Sequence, residues 1–183
     1  MITLSGFGYE DKLKSPVQAF AKTWKKKSFI NGESVKQFEE KFKKFVGAED
    51  CVAVSSCTSA LQLSLLALSV GPGDEVITVP YTWVSTVEAI KQVGARPVFV
   101  DVNADDLCID ATSVGNVITS KTKAIIPVDL YGNVSNIDVL KKYNIPIVQD
   151  SAQSAGAVYK GRRVGGLSHL TCFSFYPTKN LGC

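Results

Sequence analysis

Apolar positions recur every three to four residues over 15–26, at Val17, Phe20, Ala21 and Trp24, and again over 34–46, at Val35, Phe38, Phe42 and Phe45. That is the spacing of one buried helix face. Gly47 follows as a helix stop. From residue 51 the pattern changes to short apolar runs set between helical stretches. The run 51–55 predicts a strand, 55–59 a polar turn, and Leu61, Leu65 and Leu68 a helix. The unit then repeats, with a turn at 71–74, a strand at 75–79, a helix at 84–93 and a strand at 97–100. A helix at 112–118, a strand at 124–128, a helix at 137–143 and a strand at 145–149 continue it. Residues 155–159 and 163–164 flank 160–162 as a hairpin, and 170–175 form a last strand. Apolar runs alternating with helices in this way predict an α/β fold, a mostly parallel sheet flanked by helices. No repeat, low-complexity stretch or linker interrupts it, so 1–183 reads as one domain.

Composition narrows the function classes. A chain of 183 residues, 45% hydrophobic, buries a substantial core. The net charge of +3 is modest, and the basic cluster between Lys22 and Lys27 reads as a solvated helix face, so nothing calls for nucleic acid. The first residues lack a basic stretch followed by an apolar one, and no apolar run approaches the ~18 residues of a membrane span, so the expectation is a cytoplasmic protein with no membrane partner. Five cysteines at 51, 57, 108, 172 and 183 show neither a paired framework nor a C-x-x-C. With His169 as the single histidine, neither a metal site nor a Cys-His dyad is expected.

In a parallel sheet, ligands sit beyond the carboxyl ends of the strands. Three such ends carry candidate chemistry. At the first, Thr58 and Ser59 offer hydroxyls and amides at a helix N-terminus, which suits a phosphate as well as it suits simple capping. The turn has neither G-x-G-x-x-G nor a Walker A pattern. At the second, Trp83 offers an indole to lie on a planar ring or to be buried as a core residue. The third offers Asp150 and, three residues on, Gln153. Downstream, Lys179 follows an apolar run by a Pro-Thr turn. A lysine amine forms a Schiff base with the aldehyde of pyridoxal 5'-phosphate, and a carboxylate holds that cofactor's ring nitrogen protonated. Gln153 would then donate to a ring oxygen. The competing reading is a non-catalytic α/β module, binding a nucleotide or a protein, in which Lys179 and Asp150 are surface charges.

The residues that decide between these readings are Val54-Ser-Ser-Cys-Thr-Ser-Ala-Leu61, Gly71-Pro-Gly-Asp-Glu-Val-Ile77, Gly94-Ala-Arg-Pro-Val-Phe-Val-Asp101, Leu130-Tyr-Gly132, Asp150-Ser-Ala-Gln-Ser-Ala-Gly-Ala157 and Phe173-Ser-Phe-Tyr-Pro-Thr-Lys-Asn-Leu-Gly182. In this order they resemble the sugar aminotransferases of the DegT/DnrJ/EryC1/StrS family, over essentially the whole chain. The resemblance implies the large domain of the fold-type I aminotransferase fold and a homodimer. It also implies transfer of an amino group, usually from glutamate as amino-acid donor, to a nucleotide-linked keto-deoxysugar. It assigns Lys179 as the Schiff-base lysine, Asp150 as the acid on the ring nitrogen, Gln153 as the residue near the ring oxygen, Trp83 as the stacking plate, and Thr58, Ser59 and Ser174 as phosphate contacts. Some members of the family are dehydratases with His at the lysine position, a branch Lys179 argues against. Two departures stand out: Cys57 where the family usually has Gly, and Asp129 where His is common. A Cys at a position needing positive φ would strain the phosphate turn. The family also has roughly as much chain again beyond this point. The expectation is therefore an N-terminal part of a longer enzyme, its sheet incomplete at the C-terminus, its small domain absent, and the 183 residues alone without activity.

Overall fold

The computed structural model describes residues 16–27 and 29–182; the predicted helix start at 15 and Cys183 lie outside them. Helix α1 spans Pro16–Lys26 and α2 spans Glu33–Val46. Gly47 ends α2 in the left-handed conformation (φ 73°), its N–H donating to the Lys43 carbonyl, so the predicted stop is real. Helix α3 spans Cys57–Ala67, β1 Glu75–Thr78, α4 Ser85–Gln92, β2 Arg96–Phe99 and β3 Thr122–Ile125. Helix α5 spans Ile137–Leu140, β4 Val148–Asp150, β5 Val158–Tyr159, β6 Arg162–Arg163 and β7 Leu170–Cys172.

Strand β1 lies between β2 and β3, parallel to both, and β4 pairs parallel with β7. Parallel bridges between Ile125 and Ile147 and between Val128 and Asp150 join the two sets, giving the order β2-β1-β3-β4-β7. Because a strand sends successive side chains to opposite faces, each central strand feeds two cores. Val76, Ala124 and Val148 meet Leu61 and Leu65 of α3 and Ala89 and Ile90 of α4 on one face. Ile77, Ile125 and Ile147 meet Val114, Ile137 and Leu140 on the other. All four residues of β1 are buried, which is why its sequence does not alternate. Strands β5 and β6 form the predicted hairpin. Among the described residues, no helix is long and apolar enough to cross a membrane.

Several expectations are corrected. Residues 51–55 form no strand. Val52 and Val54 are 76% and 39% exposed, and the Ala53 N–H goes to the Glu39 side chain at 2.8 Å. A β-branched run becomes a strand only where a neighbour takes its backbone groups, and no described segment does so. Residues 112–118 give only a 3-10 turn over Val114–Val117. The helix predicted at 137–143 is a single α turn continued by a 3-10 turn over Lys141–Tyr143, closed by Asn144 in the left-handed region. The last strand stops at Cys172 instead of 175. The run 124–128 begins earlier, at Thr122, and its regular part ends before Pro127, which has no N–H to donate; the Pro127 carbonyl still accepts from the Asp150 N–H. His169 has a structural use, its Nδ1 accepting from the Ile147 N–H at 3.2 Å.

Candidate functional site

The turn into α3 is built from serines. Ser56 caps the helix, its hydroxyl accepting from the Ser59 N–H at 3.0 Å. The Ser59 hydroxyl shares hydrogen bonds with those of Ser55 and Ser56, each at 3.0 Å. The Ala60 N–H returns to the Ser56 carbonyl. Helix geometry leaves the Cys57 and Thr58 amides as orphan donors at the positive end of the helix dipole. Cys57 is not among the residues with positive φ; it opens the helix, so the anticipated strain at this turn does not arise.

Asp150 ends β4 and is 6% exposed. Its Oδ2 accepts from Thr86 Oγ1 at 2.7 Å and its Oδ1 from the Ala152 N–H at 3.2 Å, with Cys57 Sγ 3.9 Å away on the same oxygen. Burial pushes the carboxyl's pKa up, while the Thr86 hydroxyl, the Ala152 amide and the positive charge of Lys179 pull it down. Burial, then the neighbouring Asp150 charge, push the Cys57 thiol far above its ordinary range, so Cys57 stands here as a neutral S–H donor. Asp150 is thus no surface charge, and the premise of a module with only solvated charges falls on it.

Lys179 is half-buried and sits in a tight turn, its N–H donating to the Tyr176 carbonyl at 2.8 Å. The segment leading to it is gripped by α2: Phe173 packs edge-on against Phe42 with centroids 5.1 Å apart, and Phe175 packs edge-on against Phe38, also at 5.1 Å. Ser174 lies between these anchored rings and accepts from the Tyr176 N–H at 3.4 Å. Gly182 closes the turn at a φ of 39°, and a Cβ there would stand 2.6 Å from the Pro177 carbonyl oxygen. The helix spacing of Phe38 and Phe42 therefore sets where the lysine emerges.

The structure brings Asp150 and the start of α3 into contact, with the Lys179 charge felt at both Asp150 and Cys57. Gln153 is held by its Oε1, which accepts from the Tyr131 N–H at 3.2 Å and leaves the amide nitrogen as the group with hydrogens to donate. Trp83 is 72% exposed in the turn before α4. The side-chain hydrogen bonds of Asp150 go to Thr86, Ala152 and Cys57, and none of them to Thr58, Ser59 or Ser174. Thr86 escaped the sequence reading. Its signal is a hydroxyl on the buried stripe Thr86, Ala89, Ile90 and Val93, where an apolar residue belongs unless a polar partner faces it.

Comparison with known proteins gives a consistent result. The model of the DegT/DnrJ/EryC1/StrS aminotransferase family matches residues 11–183. A UDP-2-acetamido-2-deoxy-3-oxo-D-glucuronate aminotransferase of Pseudomonas aeruginosa is 42% identical over 178 residues, covering 95% of this chain and 49% of the relative. A dTDP-3-amino-3,4,6-trideoxy-alpha-D-glucose transaminase of Streptomyces venezuelae is 38% identical over 96% of this chain and 47% of the relative. Among solved structures, S. venezuelae DesV in complex with a ketimine intermediate superposes with a TM-score of 0.88 at 38% identity, over 91% of this chain and 46% of that one. The PLP form of the putative sugar aminotransferase Spr1654 from Streptococcus pneumoniae also gives 0.88, at 34% identity over 94% and 49%. The chain spans about half the length of the curated relatives it matches.

Proposed function

The chain belongs to the DegT/DnrJ/EryC1/StrS aminotransferase family, and on that premise we propose that it forms the cofactor-binding part of a pyridoxal 5'-phosphate-dependent transaminase that passes an amino group from glutamate to a nucleotide-linked keto-deoxysugar. The observation that carries the reading is the environment of Asp150. A buried carboxylate supplied with donors from Thr86 and Ala152 is prepared to be an anion, and a buried anion calls for a cation at its open side. A protonated ring nitrogen meets that need, and the Lys179 amine is close enough for its charge to act on the same carboxylate. The residues present fit the cofactor.

Pyridoxal phosphate supplies an aldehyde that bonds amines and a ring that spreads the charge left when a proton leaves the carbon beside the amine. Lys179 would hold the aldehyde, and its Nζ, when free, would move the proton at the donor's Cα. Asp150 keeps the ring nitrogen's proton in place, and Thr86 and Cys57 keep Asp150 ionised and aimed. The N-terminal end of α3, with Thr58, Ser59 and Ser174, takes the phosphate. Trp83 would offer its indole to the ring, and the Gln153 amide nitrogen, its oxygen taken by the Tyr131 N–H, would donate to the ring oxygen.

The half-reactions separate the claims. Protein loaded with pyridoxal phosphate and given glutamate should lose the pyridoxal absorbance and gain that of the pyridoxamine form, and a nucleotide-linked keto sugar should reverse the change. Conversion by another amino acid but never by glutamate overturns the donor; Asp150→Asn with near-normal conversion overturns the role of the acid.

A further inference from the structure

Asp129 is wholly buried, and the mechanism above does not use its carboxylate. Its Oδ1 accepts from the Ser135 N–H at 2.9 Å, and its Oδ2 accepts from Gln149 Nε2 and from Ser151 Oγ, each at 2.7 Å. Its main chain is tied to the same segment: the Asp129 N–H donates to the Asp150 carbonyl at 2.9 Å, and the Asp129 carbonyl accepts from Ser154 Oγ at 2.8 Å. Two residues on, the Tyr131 N–H holds Gln153. Residues 149, 150, 151, 153 and 154 are therefore all fixed from the short stretch 129–131. The amide of Gln149 cannot turn over to relieve a change at Asp129 without losing the bond from Ser168 Oγ to its Oε1, at 3.1 Å. All three side-chain contacts of Asp129 donate to it, an arrangement that suits a carboxylate; of the three, only the Ser151 hydroxyl could turn to accept from a neutral acid's O–H.

We propose that Asp129 is a positioning residue: its buried carboxylate locks the turn 150–154, and so sets the aim of Asp150 and Gln153 toward the cofactor ring. The proposal rests on the cofactor reading above. It also gives the aspartate that stands at this position a purpose, since an imidazole could not accept three donors at once.

The test uses the 183-residue chain, with Asp129→Asn beside Leu140→Ala, a core change on α5 chosen to lower stability without touching the turn. In the chain without cofactor, Asp129→Asn places an NH2 against the Gln149 and Ser151 donors. Hydrogen exchange at the Ala152 and Ser154 amides should then quicken by about tenfold or more, the factor that follows from losing a hydrogen bond to a charged group. Leu140→Ala should leave those two amides no faster than the rest of the sheet. Titration with pyridoxal phosphate should show affinity lowered by roughly tenfold in Asp129→Asn, the scale on which outer-layer partners act on a bound group, and little changed in Leu140→Ala. Unchanged exchange at 152 and 154 overturns the lock whatever the cofactor does. Quickened exchange with unchanged affinity, or equal affinity losses in the two variants, overturns the positioning role. If the unaltered chain binds no pyridoxal phosphate, the cofactor reading itself falls and this proposal with it.

Discussion

Thr86→Val isolates the hydrogen bond that most directly supports Asp150. Valine matches threonine in shape, so the stripe of α4 that packs with Ala89 and Ile90 keeps its volume, and the change removes one hydroxyl 2.7 Å from Asp150 Oδ2. A hydrogen bond to a charged group is worth about 1.5–3 kcal/mol. Its loss raises the Asp150 pKa further, because the hydroxyl stabilises the ionised form more than the neutral one. Burial already holds that pKa above the ordinary aspartate value. A group whose folded pKa is raised contributes stability at pH below its unfolded pKa and loses it as pH rises through the folded one. The variant, its folded pKa higher still, goes on losing it to a higher pH. Its deficit against the parent should therefore be full, about 1.5–3 kcal/mol, at pH 8 and shrink steadily toward acid as Asp150 takes up its proton in both proteins. Urea unfolding followed by far-ultraviolet circular dichroism at a series of pH values measures it. A deficit that does not change with pH, or none at pH 8, would refute the reasoning that Thr86 acts through the charge of Asp150.

Two further outcomes follow from the same buried groups. Burial holds the Asp129 carboxyl at about 6, so between pH 5 and 7 the parent should lose about 1 kcal/mol of stability from this group that Asp129→Asn does not lose; parallel pH profiles in urea unfolding would contradict it. The Cys108 thiol, pushed up by burial, stays protonated across this range in both proteins. The Cys57 thiol, partly buried and held protonated beside Asp150, should react with iodoacetamide at pH 8 far more slowly than in the unfolded chain, as read by peptide mass spectrometry. Labelling at the rate of a free thiol in folded protein would show that Cys57 is open to solvent.

What could be read in the sequence was local. The four-residue strand β1, the stop at Gly47 and the acid at the end of β4 all follow from short-range pattern, because apolar runs, left-handed glycines and strand ends announce themselves within a few residues. The partners of Asp150 and Asp129 do not. Thr86 reaches Asp150 across 64 positions. Ser135, Gln149 and Ser151 converge on Asp129 only because the bridge from Val128 to Asp150 sets the register of β3 against β4. The run 51–55 shows the opposite failure, a strand composition with no strand beside it. The doubt over Cys57 dissolved for a local reason that spacing alone did not reveal: the residue falls one position inside the helix, where φ is negative.

The central claim is that Lys179 and Asp150 together hold pyridoxal phosphate. Protein incubated with the cofactor, reduced with borohydride and digested should carry the pyridoxyl mass on the peptide containing Lys179, and on no other lysine. Asp150→Asn should still carry it there, because the amine and not the acid makes the bond. An adduct on a different lysine, or none on folded protein given excess cofactor, would contradict the account at its root.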